Sequence, residues 1–200
     1  IAAIPLPVPV IVATGAGNGS ASIAWDAVPG VAGYELFRKD AHGGSWTLVH
    51  TTPAATFFSN GGLAAGATYL YRLRTFDAAG NRSADSNLDL ATTIDYSDPQ
   101  LGAGTLVRAQ HVIEVRRAVN AICTFAGAAI CPAAPFSGAS LDAAQVKTQP
   151  IRASDFADLT TQLVSLRSAI GAAPATFRGP AVAGNPVSRI QTEDLRAGAK

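Results

Sequence analysis

The hydrophobic rhythm of this chain changes once, between residues 93 and 106, and that change sets what it can fold into. Before it, apolar and polar side chains alternate. In SASIAW (20–25), Ala21, Ile23 and Trp25 share one face while Ser20, Ser22 and Ala24 take the other, the pattern of a half-buried strand. In ATYLYRLRTFD (67–77), Tyr69, Tyr71, Leu73 and Thr75 share a face, with Arg72 and Arg74 opposite. After the change, apolar residues recur every three or four positions. Val112, Val115, Val119 and Ile122 form one stripe, and Phe156, Leu159, Leu163, Leu166 and Ile170 form another, as on amphipathic helices. One chain therefore carries an all-β part followed by an all-α part.

Further strands are expected at GYELFRKD (33–40), WTLVHT (46–51), TFFS (56–59) and SNLDLATT (86–93). The segments DAVPGVAG (26–33), HGGS (42–45), NGG (60–62) and AAGN (78–81) between them are turn chemistry. Short strands with turns at this spacing favour a sandwich of two sheets. The segment GAGNG (15–19) leads into a strand, whereas a dinucleotide-binding glycine loop leads into a helix, so it reads as a turn.

Residues 1–13, IAAIPLPVPVIVA, form an apolar arm leading into the first strand. Proline lacks the ladder donor, so the arm is an edge segment or a polyproline II stretch. It serves either as an inter-domain linker or as a contact for a neighbouring copy. The residues for that contact are Ile1, Ile4, Pro5, Leu6, Pro7, Val8, Pro9 and Val10.

Several of these residues combine into a family pattern. Trp25 precedes a proline-containing turn, Tyr34 and Leu36 stand as Y-x-L, Leu63, Gly66 and Tyr69 stand as L-x-x-G-x-x-Y, and Gly80-Asn81 follows. Residues 7–93 thereby resemble a fibronectin type III domain of the bacterial secreted kind. The resemblance implies a seven-stranded antiparallel sandwich that acts as a spacer or binding module. It also implies that Leu63 and Tyr69 form a structural corner, with the tyrosine hydroxyl bonded back to the main chain. The expected fold is a fibronectin type III-like β sandwich followed by a small all-α helical repeat domain.

Residues 94–105 read as a linker and residues 106–200 as the helical repeat domain. Val107-Arg108-Ala109 matches Ile151-Arg152-Ala153, and Glu114-Val115 matches Asp158-Leu159. A shorter third copy places Val187 before Asp194-Leu195-Arg196, paralleling Glu114-Val115-Arg116. The repeat is roughly forty residues long and predicts two long helices and one short one. Gly127 and Gly171 follow the long helices as breakers.

The repeat also argues against catalysis. His111 is matched by Asp155 and then Gln191, so no catalytic identity recurs. His111 is expected to face solvent or cap its helix, and Arg116 and Arg117 to pair locally with Glu114. A helix-turn-helix needs a turn of about 3–4 residues, and residues 128–150 intervene here. There is no G-x-S-x-G, H-E-x-x-H or P-loop pattern. Asp95 and Asp98 read as turn formers, with calcium ligation as a second use. Cys123 and Cys131 are expected to form a disulfide in an oxidising compartment. A zinc site would need four ligands, and no cofactor or metal is expected.

Charged residues make up 14% of the chain and the net charge is +1, with no dense basic stripe of the kind nucleic acid requires. No apolar run is long enough to span a membrane. The chain starts at Ile1 and contains no methionine, as expected of a processed product or an excised fragment, and a removed signal peptide would make it secreted or cell-surface. The leading functional expectation is a non-enzymatic subunit of an extracellular assembly, filament-like or adhesive, whose partners are copies of itself. The alternative is a spacer or binding accessory of a larger secreted enzyme such as a polysaccharide hydrolase. Ligand contact would then fall on residues 77–82, Trp46 or Phe58, with cell-surface polysaccharide as a partner.

Overall fold

Alternation before residue 93 produces seven strands. They are β1 (Ile11–Ala16), β2 (Ser20–Trp25), β3 (Gly33–Lys39), β4 (Thr47–Thr52), β5 (Phe57–Asn60), β6 (Thr68–Phe76) and β7 (Asp89–Thr92). Three helices follow, α1 (Ala109–Ala126), α2 (Ala153–Ala169) and α3 (Arg189–Ala199). The computed structural model describes residues 6–17, 19–98, 100–102, 104–131, 151–179 and 187–200.

The strands form two antiparallel sheets, ordered β1-β2-β5 and β4-β3-β6-β7. This is a fibronectin type III-like sandwich. Its inner faces bury Ile11, Ile23, Trp25, Tyr34, Leu36, Tyr71 and Leu73. At the corner before β6, the Ala64 N–H donates to the Tyr69 hydroxyl at 2.9 Å, and Leu63 packs against the core. The first strand passes very close to the last. A side chain at Gly15 would place a Cβ 1.9 Å from the Thr92 carbonyl oxygen, so only glycine fits there.

The four-stranded sheet is buried on both faces near β6 and β7. Tyr69, Tyr71 and Ala91 point into the sandwich. Leu70 and Leu90 point outward into a second core built with Val115, Val119, Ile122, Phe156, Leu159, Leu163 and Leu195 of the helices. The helices therefore pack on the outer face of the sheet. Ile94 belongs to this core and Tyr96 packs against it, and Leu101 is buried nearby in sequence. The stretch expected to be a linker is a wall of the joint.

The helical repeat has a physical meaning at its third position. The N–H of Arg108 donates to His111 Nδ1 at 3.2 Å, that of Arg152 to Asp155 Oδ2 at 2.8 Å, and that of Ser188 to Gln191 Oε1 at 2.7 Å. Each helix start leaves main-chain N–H groups without intrahelical partners, and each repeat supplies a side-chain acceptor. The column conserves an acceptor, not an identity. Gly127, at φ 82°, ends α1 in a conformation that suits glycine. Cys123, in the last turns of α1, is disulfide-bonded to Cys131 beyond Gly127, with Cα atoms 5.4 Å apart.

Candidate functional site

The joint between sandwich and helices is organised by ions that hydrophobic patterning does not reveal. Asp89 starts β7 and is buried. Its carboxylate accepts from the Ala13 N–H of β1 at 3.0 Å and from Arg167 Nη2 of α2 at 3.0 Å. Lys200, just after α3, donates to it at 2.9 Å. Arg167 also donates to the carbonyls of Ala173 and Gly198, each at 2.7 Å. Thr92 N–H donates to the Lys200 carbonyl. One carboxylate thus connects β1, β7 and two helices.

A second cluster is built from repeat positions. Glu114 of α1 is buried and accepts from the Ser97 N–H at 3.0 Å, the Ser97 hydroxyl at 2.6 Å and Arg196 Nη2 of α3 at 2.8 Å. Burial pushes the Glu114 carboxyl up, but the Ser97 and Gln110 hydrogen bonds and the Arg196 charge outweigh it and hold it below the usual range. In the third copy, Asp194 likewise accepts the Arg178 N–H at 2.6 Å. His111 Nε2 lies 2.8 Å from Asp98 Oδ2, and this hydrogen bond holds the Asp98 carboxyl below its ordinary value. Because Nδ1 accepts from Arg108, the ring proton sits on Nε2 and donates to Asp98.

These contacts decide one expectation and correct another. Of the two places expected for His111, it takes the helix cap and not the solvent, with its ring buried against Asp98. Arg116 pairs with Asp155 of α2 at 3.1 Å rather than with Glu114, because Glu114 points into the joint toward Arg196.

Between these clusters runs a groove of about 940 Å³. Residues 14–17, 94–96 and 100–102 wall it on one side, and Glu193, Arg196 and Lys200 on the other. Its charged walls are internally paired. Glu193 holds Arg178 and Arg189, Arg196 holds Glu114, and Lys200 holds Asp89. Asp95 is exposed and has no partner among the described residues. The Tyr96 hydroxyl is shut from solvent and likewise has no hydrogen-bond partner among them. Burial raises its pKa well above the ordinary value, and Arg196, whose guanidinium lies 4.5 Å from the ring centre, opposes that rise. Among the described residues, no three His, Cys, Asp or Glu side chains gather as metal ligands. Asp95 and Asp98 accordingly have separate environments, one at the groove and one on His111.

The other proposed contacts are occupied from within. Trp46 lies under Arg72 at 4.4 Å and Lys39 at 5.0 Å. Phe58 stacks on His50 at 4.1 Å. Asp77 accepts from the Ala79 and Asn81 N–H groups and from the Asn81 amide, and Arg82 clamps Glu35 at 2.8 Å. Among the described residues, the exposed aromatic is Phe57. By register Val12 lies beside Ala24, and Ala24 beside Phe57. With exposed Val8 and Val10 they make an apolar stripe on the three-stranded sheet. Of the arm, Ile1, Ile4 and Pro5 lie outside the described residues. Pro9 is buried and the Pro7 carbonyl accepts from Thr75 Oγ1 at 3.0 Å, so the described part of the arm lies on its own sandwich.

No protein-family model matches the chain. Endoglucanase B of Cellulomonas fimi is 44% identical over 77 residues, covering 36% of this chain. Chitinase D of Niallia circulans is 38% identical over 84 residues, covering 40%, and an alpha-amylase of the same organism is 36% identical over 77, covering 37%. The chain spans only 7%, 15% and 5% of those relatives. Among solved structures, a Fn3-like protein from Clostridium thermocellum is 23% identical, with a TM-score of 0.42 over 50% of this chain and 99% of that one. A beta-1,2-glucanase from Parabacteroides distasonis is 19% identical, with a TM-score of 0.41 over 57% and 15%.

Proposed function

We propose that this chain is a non-catalytic accessory module, a rigid spacer with a glycan contact, that works in an extracellular setting beside a polysaccharide-hydrolysing domain. The observation that carries this reading is the set of sequence relatives. They are named as an endoglucanase, a chitinase and an alpha-amylase. What is common to three different catalysts is not the chemistry of any one of them. The Cys123–Cys131 disulfide agrees with an oxidising compartment. The ion-stitched joint suits a spacer, because it fixes the helices to the sandwich where a flexible linker would let them move.

The test is incubation of the purified chain with cellulose, chitin and starch, with release of reducing ends as the readout. The expected result is no release from any of them. Sustained release that survives repurification would overturn the accessory reading.

A second reading, self-association, is favoured by the Val8, Val10, Val12 and Phe57 stripe. Contiguous exposed apolar surface marks interaction sites. Light scattering distinguishes the two, since the accessory reading expects a monomer of 20.4 kDa at all concentrations. A mass that rises with concentration, and falls again on deleting residues 1–10, would establish self-association through the arm.

A further inference from the structure

We propose that the groove at the joint of sandwich and helices binds a short, uncharged oligosaccharide. The proposal rests on the accessory reading and names the site and ligand class for it. Size is the first support, since the groove's volume of about 940 Å³ falls within the range of about 300–1,000 Å³ typical of ligand sites.

Charge is the second. Of the four ionisable walls other than tyrosine, Glu193, Arg196 and Lys200 are paired within the chain and their charges are neutralised there. Of the groove's two carboxylates, Asp95 alone has no partner among the described residues. An anionic ligand would find no unpaired cation among the described walls and would have to break a structural pair. An uncharged polyhydroxylated ligand needs only hydrogen bonds, and a free carboxylate accepts them strongly from hydroxyl groups.

The third support is a set of polar groups left over from folding. On β1, residues 12, 14 and 16 face β2 for hydrogen bonding, while the Ile11 N–H is taken by Asn87 and the Ala13 N–H by Asp89. By the same alternation the Gly15 peptide groups point away from β2, and Gly15 lines the groove. Gln100 lines it too, with its amide unpartnered among the described residues. A carboxylate, an amide and a strand edge around an otherwise apolar floor of Ile94 and Leu101 match the alternating hydroxyl and C–H surfaces of a sugar chain.

The experiment is titration of the isotope-labelled full chain with cellohexaose, chitohexaose and maltohexaose, followed by amide chemical shifts. The expected result is saturable change at Gly15, Gly17, Gln100 and Gly102 with at least one of the three. Asp95→Ala, at an exposed position that folding does not use, should weaken that binding about tenfold, the loss of one charge-assisted hydrogen bond. Phe57→Ala should leave it unchanged. No shift with any of the three at about 10 mM, well above a millimolar Kd, overturns the proposal. So does saturation that maps to the Phe57 face, equal affinity in Asp95→Ala, or an equal response to glycerol. None of these outcomes bears on whether the chain hydrolyses polysaccharide, so the accessory reading is tested separately.

Discussion

Replacing Arg167 with methionine removes a guanidinium while keeping most of its aliphatic volume. The side chain is 2% exposed. The substitution leaves the Ala173 and Gly198 carbonyls without their donor and takes one of two cations from Asp89. Breaking a buried ion pair from one side costs about 3–5 kcal/mol. The remaining Lys200 contact and two main-chain N–H donors on Asp89 place this case at the lower end. For a chain of this length each kcal/mol moves Tm by about 2–4 °C, so Tm should fall by about 10 °C. Far-ultraviolet circular dichroism reads the helices, and fluorescence in a Trp46→Phe background reads Trp25 inside the sandwich. Because Leu70 and Leu90 tie the helices to the sheet, both signals should move together. The Asp89→Asn, Arg167→Met double variant should lose less than the sum of the two single losses. If the helical signal melts early while the tryptophan signal keeps its wild-type midpoint, the joint is not one cooperative unit and the reasoning fails. It also fails if the loss is under about 1 kcal/mol, the worth of a surface pair.

His111→Gln keeps an acceptor at the helix start, as the third repeat does with Gln191, whereas His111→Ala removes it. Urea unfolding should show Ala less stable than Gln by about 1 kcal/mol. The Glu114 and Asp98 carboxyls sit below their ordinary values when folded, so their stabilisation is complete above the unfolded values. It is lost as pH falls from the ordinary glutamate value of 4.5 through the folded ones. Thermal melts across acid pH should show that slope, and Glu114→Gln should flatten it. Reducing Cys123–Cys131, which closes a loop with a separation of 8, should cost about 2.5 kcal/mol by loop entropy, measured as the difference in urea midpoint with and without reductant. Tyr69→Phe removes the hydroxyl that holds Ala64 and should cost about 1 kcal/mol in the same assay.

Alternation made the strands and their inner faces legible, and the three-to-four step did the same for the helices. The outer burial of β6 and β7 left a fainter mark. TYLY (68–71) and DLAT (89–92) lose the polar half of the alternation, because Leu70 and Leu90 meet the helices. Parity would also have chosen between Phe57 and Phe58, since Phe58 lies opposite the core residue Ile23. Glu114 was not readable as an interior residue, because its cation, Arg196, lies 82 positions along the chain. The groove was not readable for the same reason. Its walls come from four separate segments, and a local pattern carries no information about what a distant segment brings beside it. His111 stood between cap and solvent because a histidine at a helix start suits both. The Arg108 N–H on one ring nitrogen and Asp98 on the other decide for the buried cap.

The two-sided burial of β7 bears on how such a chain can be shuffled among larger proteins. Recombination favours pieces whose borders coincide with exposed turns, and sequence similarity alone would draw the border near residue 93. A graft cut there would carry Leu70 and Leu90 bare to solvent and a buried Asp89 deprived of both its cations. In this chain the stable piece is therefore larger than the sandwich. Whatever host carries the strands must bring the helices too, or evolve another lid for the same sheet.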